Sequence, residues 1–329
     1  MNDAAEPPFR APGTLSPGAG RIDPVDVARG IALIAMAIYH FSWDLSFLQL
    51  VATPVGTDPA WKWFARAVAG SFLFLVGVSL VLGHGDGIRW RSFGRRLAMV
   101  AGAAATVTVV TWFAFPDSYI FFGILHCIAL SSVLALPFLR LPWPVVAASA
   151  ALVLAAPHLV GGAAFDAPAL AWLGLGARVP VTNDWVPVFP WFGMVLAGVA
   201  TARLALASIR PGLARWRARN RLGRSLAWAG RRSLVIYLVH QPLLLALLYP
   251  VALTLGPSPA AEAAPFLREC RQTCSSAGRG AETCRRACAC TVDELKRNGL
   301  WRRSLRGALT KEEQEAVGAL ARQCFAEER

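Results

Sequence analysis

Arg29, His40 and Asp44 share one apolar run, "DVARGIALIAMAIYHFSWDL" at residues 26–45. Ionisable groups are costly in a segment greasy enough to cross a bilayer, and they mark a pathway or a site. On an α-helix, eleven residues turn the chain through about 1100°, so Arg29 and His40 project from nearly one face, roughly 16 Å apart along the axis. Asp44 follows His40 by four residues, on a similar face. A guanidinium binds phosphate well, and an imidazole serves as general base or nucleophile. The spacing is about the reach of a pantetheine arm. The pair therefore suits an acyl-CoA whose phosphates meet Arg29 and whose thioester lies near His40, with Asp44 holding the imidazole in one tautomer. The plainer reading makes Arg29 a boundary anchor paired with Asp26, and His40 a hydrogen-bonding contact to a neighbouring helix.

Further candidates lie in three other stretches. His126, in "FGILHCIAL", is either a second polar wall at the acceptor end or a packing contact. His240 and Gln241, in "YLVHQP", suit a donor entrance, with Pro242 breaking the local backbone ladder; a Pro-kinked helix with a satisfied histidine is the alternative. Asn183 and Asp184 in "PVTNDWVP" have sugar-binding side chains, although turn formation is their commoner role. Cys127, alone in an apolar run, reads as a buried structural thiol.

These residues need membrane helices to hold them. The chain has 329 residues, 55% hydrophobic and 16% charged, with the charges gathered in short stretches, which points to an all-α polytopic bundle rather than a soluble domain. The net charge of +13 does not call for nucleic acid, because cytoplasmic loops of membrane proteins collect Lys and Arg. A span takes roughly 20 apolar residues, and about seven stretches approach this: about 28–50, 63–83, 97–115, 119–139, 143–161, 187–207 and 233–255. The fifth, rich in alanine, is the weakest. Arg89, Arg91, Arg95 and Arg96 fill one loop, and eight arginines fill another between Ser208 and Ser233. Both belong on the cytoplasmic side. Four spans separate them, as they must, which puts the N-terminus inside and the segment after 255 outside. Residues 1–20 read as a disordered leader without the basic start and apolar core of a cleavable signal. The expected divisions are this leader, a transmembrane domain at 21–255 and a tail at 256–329.

Six of the seven cysteines lie in the tail. "CRQTC" and "CRRAC" each put two cysteines on one helix face, and "SSAGRGAET" between them supplies glycines for a turn. An antiparallel hairpin then sets Cys270 opposite Cys288 and Cys274 opposite Cys284, leaving Cys290 and Cys324 for a third bridge. An even count on the outer side favours disulfides; a zinc thiolate site is the alternative. "LTKEEQEAVGALARQCFAEE" reads as an amphipathic helix, with Thr310 as N-cap and Glu313 completing a capping box.

The opening "RIDPVDVARGIALIAMAIYHFSWDL" resembles that of the bacterial relatives of the heparan-α-glucosaminide N-acetyltransferase catalytic domain, with its Asp-x-x-Arg-Gly start and histidine-containing first span. "FFGILHCIALS", "VPVFPWFGMVLAG" and "RRSLVIYLVHQPLL" resemble the same family in the same order, over roughly residues 21–250. The Arg–ten residues–His spacing is also similar to the first helix of the acyltransferase-three family, which moves acyl groups from cytoplasmic donors onto extracytoplasmic glycans. In the lysosomal branch the active histidine follows the first span, whereas this chain has none between His40 and His84. The catalytic role therefore comes to His40 only through the acyltransferase-three pattern.

The resemblance implies a multi-pass inner-membrane acyltransferase with a periplasmic tail. Acetyl-CoA or another acyl-CoA would be its donor and a glycan or lipid-linked sugar its acceptor, with no metal and no nucleic acid. His40, Asp44 and His126 would sit at the chemistry, and Arg29, His240 and Gln241 along the donor. An oligomer is compatible with the sequence. The rivals are a transporter or proton-coupled channel, for which no inverted repeat stands out, and a sensor or scaffold acting through the cysteine tail.

Overall fold

The computed structural model describes residues 23–85, 87–208 and 216–327. The expected leader at 1–20 and residues 209–215 of the second arginine loop lie outside the described residues. The chain divides into two compact units, residues 1–37 with 64–240, and residues 38–63 with 241–329. Among the described residues the regular structure is helical, apart from one parallel β-bridge between Phe122 and Trp185.

The first unit takes the start of α1 (Asp23–Phe47), α2 (Pro59–His84) from Phe64 onward, α3 (Trp90–Ala114), α4 (Ile124–Leu134), α5 (Trp143–Leu159), α6 (Val188–Ser208), α7 (Arg221–Arg231) and the start of α8 (Ser233–Leu255). Its core joins Leu73, Val76 and Leu80 of α2, Cys127 of α4, Val146 and Ala150 of α5, and Val195, Leu196 and Val199 of α6.

Among the described residues five helices, α1, α2, α3, α6 and α8, are long and apolar enough to cross a membrane. Much of their apolar surface points outward: Phe113 on α3 is 81% exposed, and none of the residues of α8 is buried. In water such surface would drive aggregation, whereas in a bilayer it meets lipid. The chain is a membrane protein.

Two of the seven expected spans are shorter than predicted. α4 has 11 residues and α5 has 17, or about 17 and 26 Å against a hydrocarbon layer of about 30 Å. The shortfall in α4 has a visible cause. Residues before Ile124, predicted as helix, instead pair with a distant segment: Asn183 N–H donates to the Ser118 carbonyl at 2.9 Å and Val186 N–H to the Phe122 carbonyl at 3.2 Å. At its other end Pro137 opens a 3-10 turn.

The second unit holds the rest of α1 and α8, the segment joining α1 to α2, and the tail helices α9 (Pro259–Ser276), α10 (Ala281–Arg297), α11 (Trp301–Leu305) and α12 (Lys311–Glu327). The hairpin forms as its cysteines predict. Gly278, at φ +80, lies in the turn between α9 and α10, and the bridges are Cys270–Cys288, Cys274–Cys284 and Cys290–Cys324, with Cα–Cα distances of 6.0, 5.7 and 5.8 Å. All six tail cysteines are thus disulfide-bonded rather than free to bind zinc. Val292, Leu295 and Trp301 make a small core with Phe266 and Leu320. The capping box of α12 is in place, with Thr310 N–H donating to Glu313 Oε2 at 2.8 Å and Glu313 N–H to Thr310 Oγ1 at 3.3 Å.

Candidate functional site

α1 runs from Asp23 to Phe47, and the division between the two units falls within it, after Ala37. Arg29 lies in the first unit. Its guanidinium donates to Asp26 Oδ1 at 3.0 Å, one turn back, and to Ser79 Oγ on α2. The two side chains of the ion pair are 18% and 7% exposed, so the pair is screened far less than a surface one. The Asp-x-x-Arg-Gly start has a second physical reason. α7 comes so close to α1 that a Cβ on Gly30 would strike the Leu226 carbonyl, and one on Gly230 the Asp26 carbonyl. Asp26 and Ser79 fix the arginine, and the glycines let α7 in. Ser79, an isolated hydroxyl in "LFLVGVSLVLG", is the sequence signal for this contact.

Between α2, α3 and α4 lies a cavity of about 30 Å³, lined by Ser79, His84, Arg96 and Ser132 among apolar side chains. It has room for a water molecule and is too small for a pantetheine arm.

His126, also in the first unit, is engaged at both ring nitrogens. Gly123 N–H donates to Nδ1 at 3.2 Å, which leaves the proton on Nε2, 3.1 Å from Thr108 Oγ1. The Thr108 hydroxyl in turn donates to the Ile120 carbonyl at 2.7 Å. Of the two readings of His126, an acceptor wall or a packing contact, these bonds match the packing contact, tying the start of α4 to α3. Asp184 completes this junction by accepting the Ile124 N–H at 2.9 Å, the place where a carboxylate caps an exposed helix donor. Desolvation pushes the Asp184 carboxyl up to about 6, against the pull of that hydrogen bond. Asp184 is thus a helix cap, while Thr182 donates its hydroxyl to the Tyr119 carbonyl at 2.8 Å.

His240 closes the first unit. Its Nδ1 donates to the Tyr237 carbonyl at 2.5 Å, on a helix where Pro242 withholds one backbone donor. Arg29, His126 and His240 thus keep separate company within this unit.

The second unit brings Asp44 and Gln241 together. Gln241 Nε2 donates to Asp44 Oδ1 at 2.6 Å, across 197 residues of sequence. Asp44 is 0% exposed. Oδ2 of Asp44 and Oε1 of Gln241 are both buried and accept no hydrogen bond among the described residues. Asp44 is therefore held by Gln241 and not by the His40 ring, as the four-residue spacing had suggested. Gln241, a candidate along the donor, donates to this carboxylate. His40 is half-buried, with the Tyr39 ring edge-on at 5.4 Å and Tyr39 in turn 6.3 Å from Trp61.

A family model described as heparan-alpha-glucosaminide N-acetyltransferase, catalytic, matches residues 21–242. The match takes in all six candidate residues and stops short of the tail cysteines. No curated protein and no solved structure matches the chain.

Proposed function

We infer the reaction from one premise: the chain belongs to the heparan-α-glucosaminide N-acetyltransferase catalytic family, membrane enzymes of acetyl transfer. The proposed reaction moves an acyl group, acetyl foremost, from acyl-CoA to a hydroxyl or amino group of a glycan or lipid-linked sugar. The donor arrives from the cytoplasm, where the arginine loops lie, and the acceptor from the outer side of an inner membrane, where the tail lies. The observation that supports the reading is Arg29, a cation set at the start of α1 by Asp26 and Ser79.

In this reaction Arg29 takes the donor's phosphates, for which a guanidinium is well matched. His40 removes the proton from the acceptor as its oxygen or nitrogen attacks the thioester carbonyl. The carbon–sulfur bond breaks, the CoA thiolate leaves, and the imidazolium returns the proton to it. The alternative order places the acyl group first on His40 and then on the acceptor. Asp44 supplies a negative charge toward the imidazolium, and Gln241 positions Asp44. His240 lies beside Gln241 near the donor's path, and His126 holds the scaffold.

Radiolabelled acetyl-CoA with the purified full chain tests the donor half. Wild type binds the donor and turns it over, onto added sugar or slowly onto water. Arg29→Ala weakens donor binding about tenfold or more, the loss expected for a charge-assisted phosphate contact. Unchanged donor affinity in Arg29→Ala would remove the arginine from the reaction.

A further inference from the structure

The family match ends at residue 242, yet the tail beyond it does more than carry disulfides. Within the second unit, the segment after α1 and the first turns of α9 enclose a groove of about 230 Å³. Its walls present Ser46, Gln49 and Thr57 from one side and Arg268 from the other, over apolar surface that includes Pro54 and Pro265. No acidic side chain lines it. Ala261, Ala264, Pro265 and Arg268 recur every three to four residues, so one face of α9 makes the wall.

Gln49 stands at φ 56, the left-handed position that ends α1, where Leu50 N–H donates to the Leu45 carbonyl at 2.9 Å. The Gln49 carbonyl accepts the Ser258 N–H at 2.9 Å, and Ser258 is the N-cap of α9, its hydroxyl accepting from Ala261 N–H at 3.2 Å. The start of the tail thus holds the backbone of Gln49, one of the residues that line the groove. Ser46 belongs to α1, six residues beyond His40, or about 9 Å along the helix.

We propose that this groove binds the acceptor, and that the acceptor is a single sugar ring bearing an anionic group, carboxylate or phosphate. The volume is below the roughly 300–1000 Å³ of pockets for drug-sized ligands, which suits one ring. Hydroxyl and amide side chains match sugar hydroxyls, and prolines and alanines match the apolar faces of the ring. Arg268, with no carboxylate in the lining to neutralise it, selects negative charge. This assignment rests on the acyl-transfer reading for its meaning, but not for its test.

Equilibrium binding to the purified full chain, disulfides intact, is measured with glucuronate, glucose 1-phosphate, glucose and inorganic phosphate as probes. Glucuronate or glucose 1-phosphate should bind saturably and about tenfold or more tighter than glucose or inorganic phosphate. Whichever of the two binds tighter identifies the anion. Arg268→Ala should weaken that binding about tenfold, Arg268→Glu should abolish it, and Arg268→Lys should restore part of it. Arg302→Glu, an equal charge change on α11 away from the groove, should leave it intact. No saturable binding by wild type, or binding unchanged in Arg268→Glu, would overturn the proposal. Inorganic phosphate binding as tightly as glucose 1-phosphate would overturn the sugar assignment. Acetyl-CoA turnover is read on the same wild-type sample. Its absence beside intact saccharide binding would sink the acyl-transfer reading and spare the groove, and the converse would sink the groove alone.

Discussion

At the start of α4, His126 has both ring nitrogens bonded, its partner Thr108 passes the chain on to a backbone carbonyl, and Asp184 caps the helix. In the second unit, Asp44 and Gln241 share one hydrogen bond, and each keeps a buried oxygen that accepts none among the described residues. A fully paired polar network rigidifies a fold, while a partly paired one carries a standing cost. The first cluster is accounted for by holding two helices and a loop together. The second is not, and the proposed acyl transfer would give this costly carboxylate, four residues from a histidine, its reason.

Exchanging single groups breaks or sharpens this contrast. Asp44→Asn retains an acceptor for Gln241 and removes only the charge, so we expect acyl transfer to fall about tenfold or more while thermal stability stays within about 1 kcal/mol. Loss of stability with transfer per folded molecule intact would make Asp44 another brace. His126→Ala should do the opposite. Its loss strands the Gly123 N–H, at about 1–3 kcal/mol, with the pH profile of transfer unmoved; a shifted profile would put His126 into the reaction.

The Asp184 carboxyl gives the smallest effect, and its sign is fixed. Its pKa is raised by the fold from 3.8 to about 6. The folded state therefore binds the proton more tightly than the unfolded one, and this contribution is complete below about pH 3.8 and lost as pH rises through about 6. Asp184→Asn, which keeps an acceptor for Ile124 N–H, should flatten the fall of melting temperature over that window. An identical slope in both proteins would show that other groups set it.

What the sequence revealed depended on whether the physics was local. The helix α1 was legible because its long apolar run is local to one stretch of chain. The hairpin of the tail was legible because cysteines at i and i+4 facing each other across glycines leave few pairings, and the capping box of α12 spans only four residues. The ends of α4 were not legible. Residues 119–123 are apolar enough for a span, and what keeps them extended is a segment some sixty residues away. Likewise, the partner of Asp44 lies on α8, and no local pattern connects it to "HFSWDL". The spacing pointed to His40 instead, because on a helix the nearest candidate is always four residues away. Ser79 was missed for a similar reason, since an isolated serine in a span gains meaning only once Arg29 reaches it.

The central claim is that His40 performs the acyl transfer, and it is tested by single-turnover transfer from radiolabelled acetyl-CoA in wild type and His40→Ala, with donor binding measured on both. The account predicts that His40→Ala binds donor with wild-type affinity and transfers at least about a hundredfold more slowly, as loss of a general base or nucleophile does. Transfer at the wild-type rate in His40→Ala would contradict it.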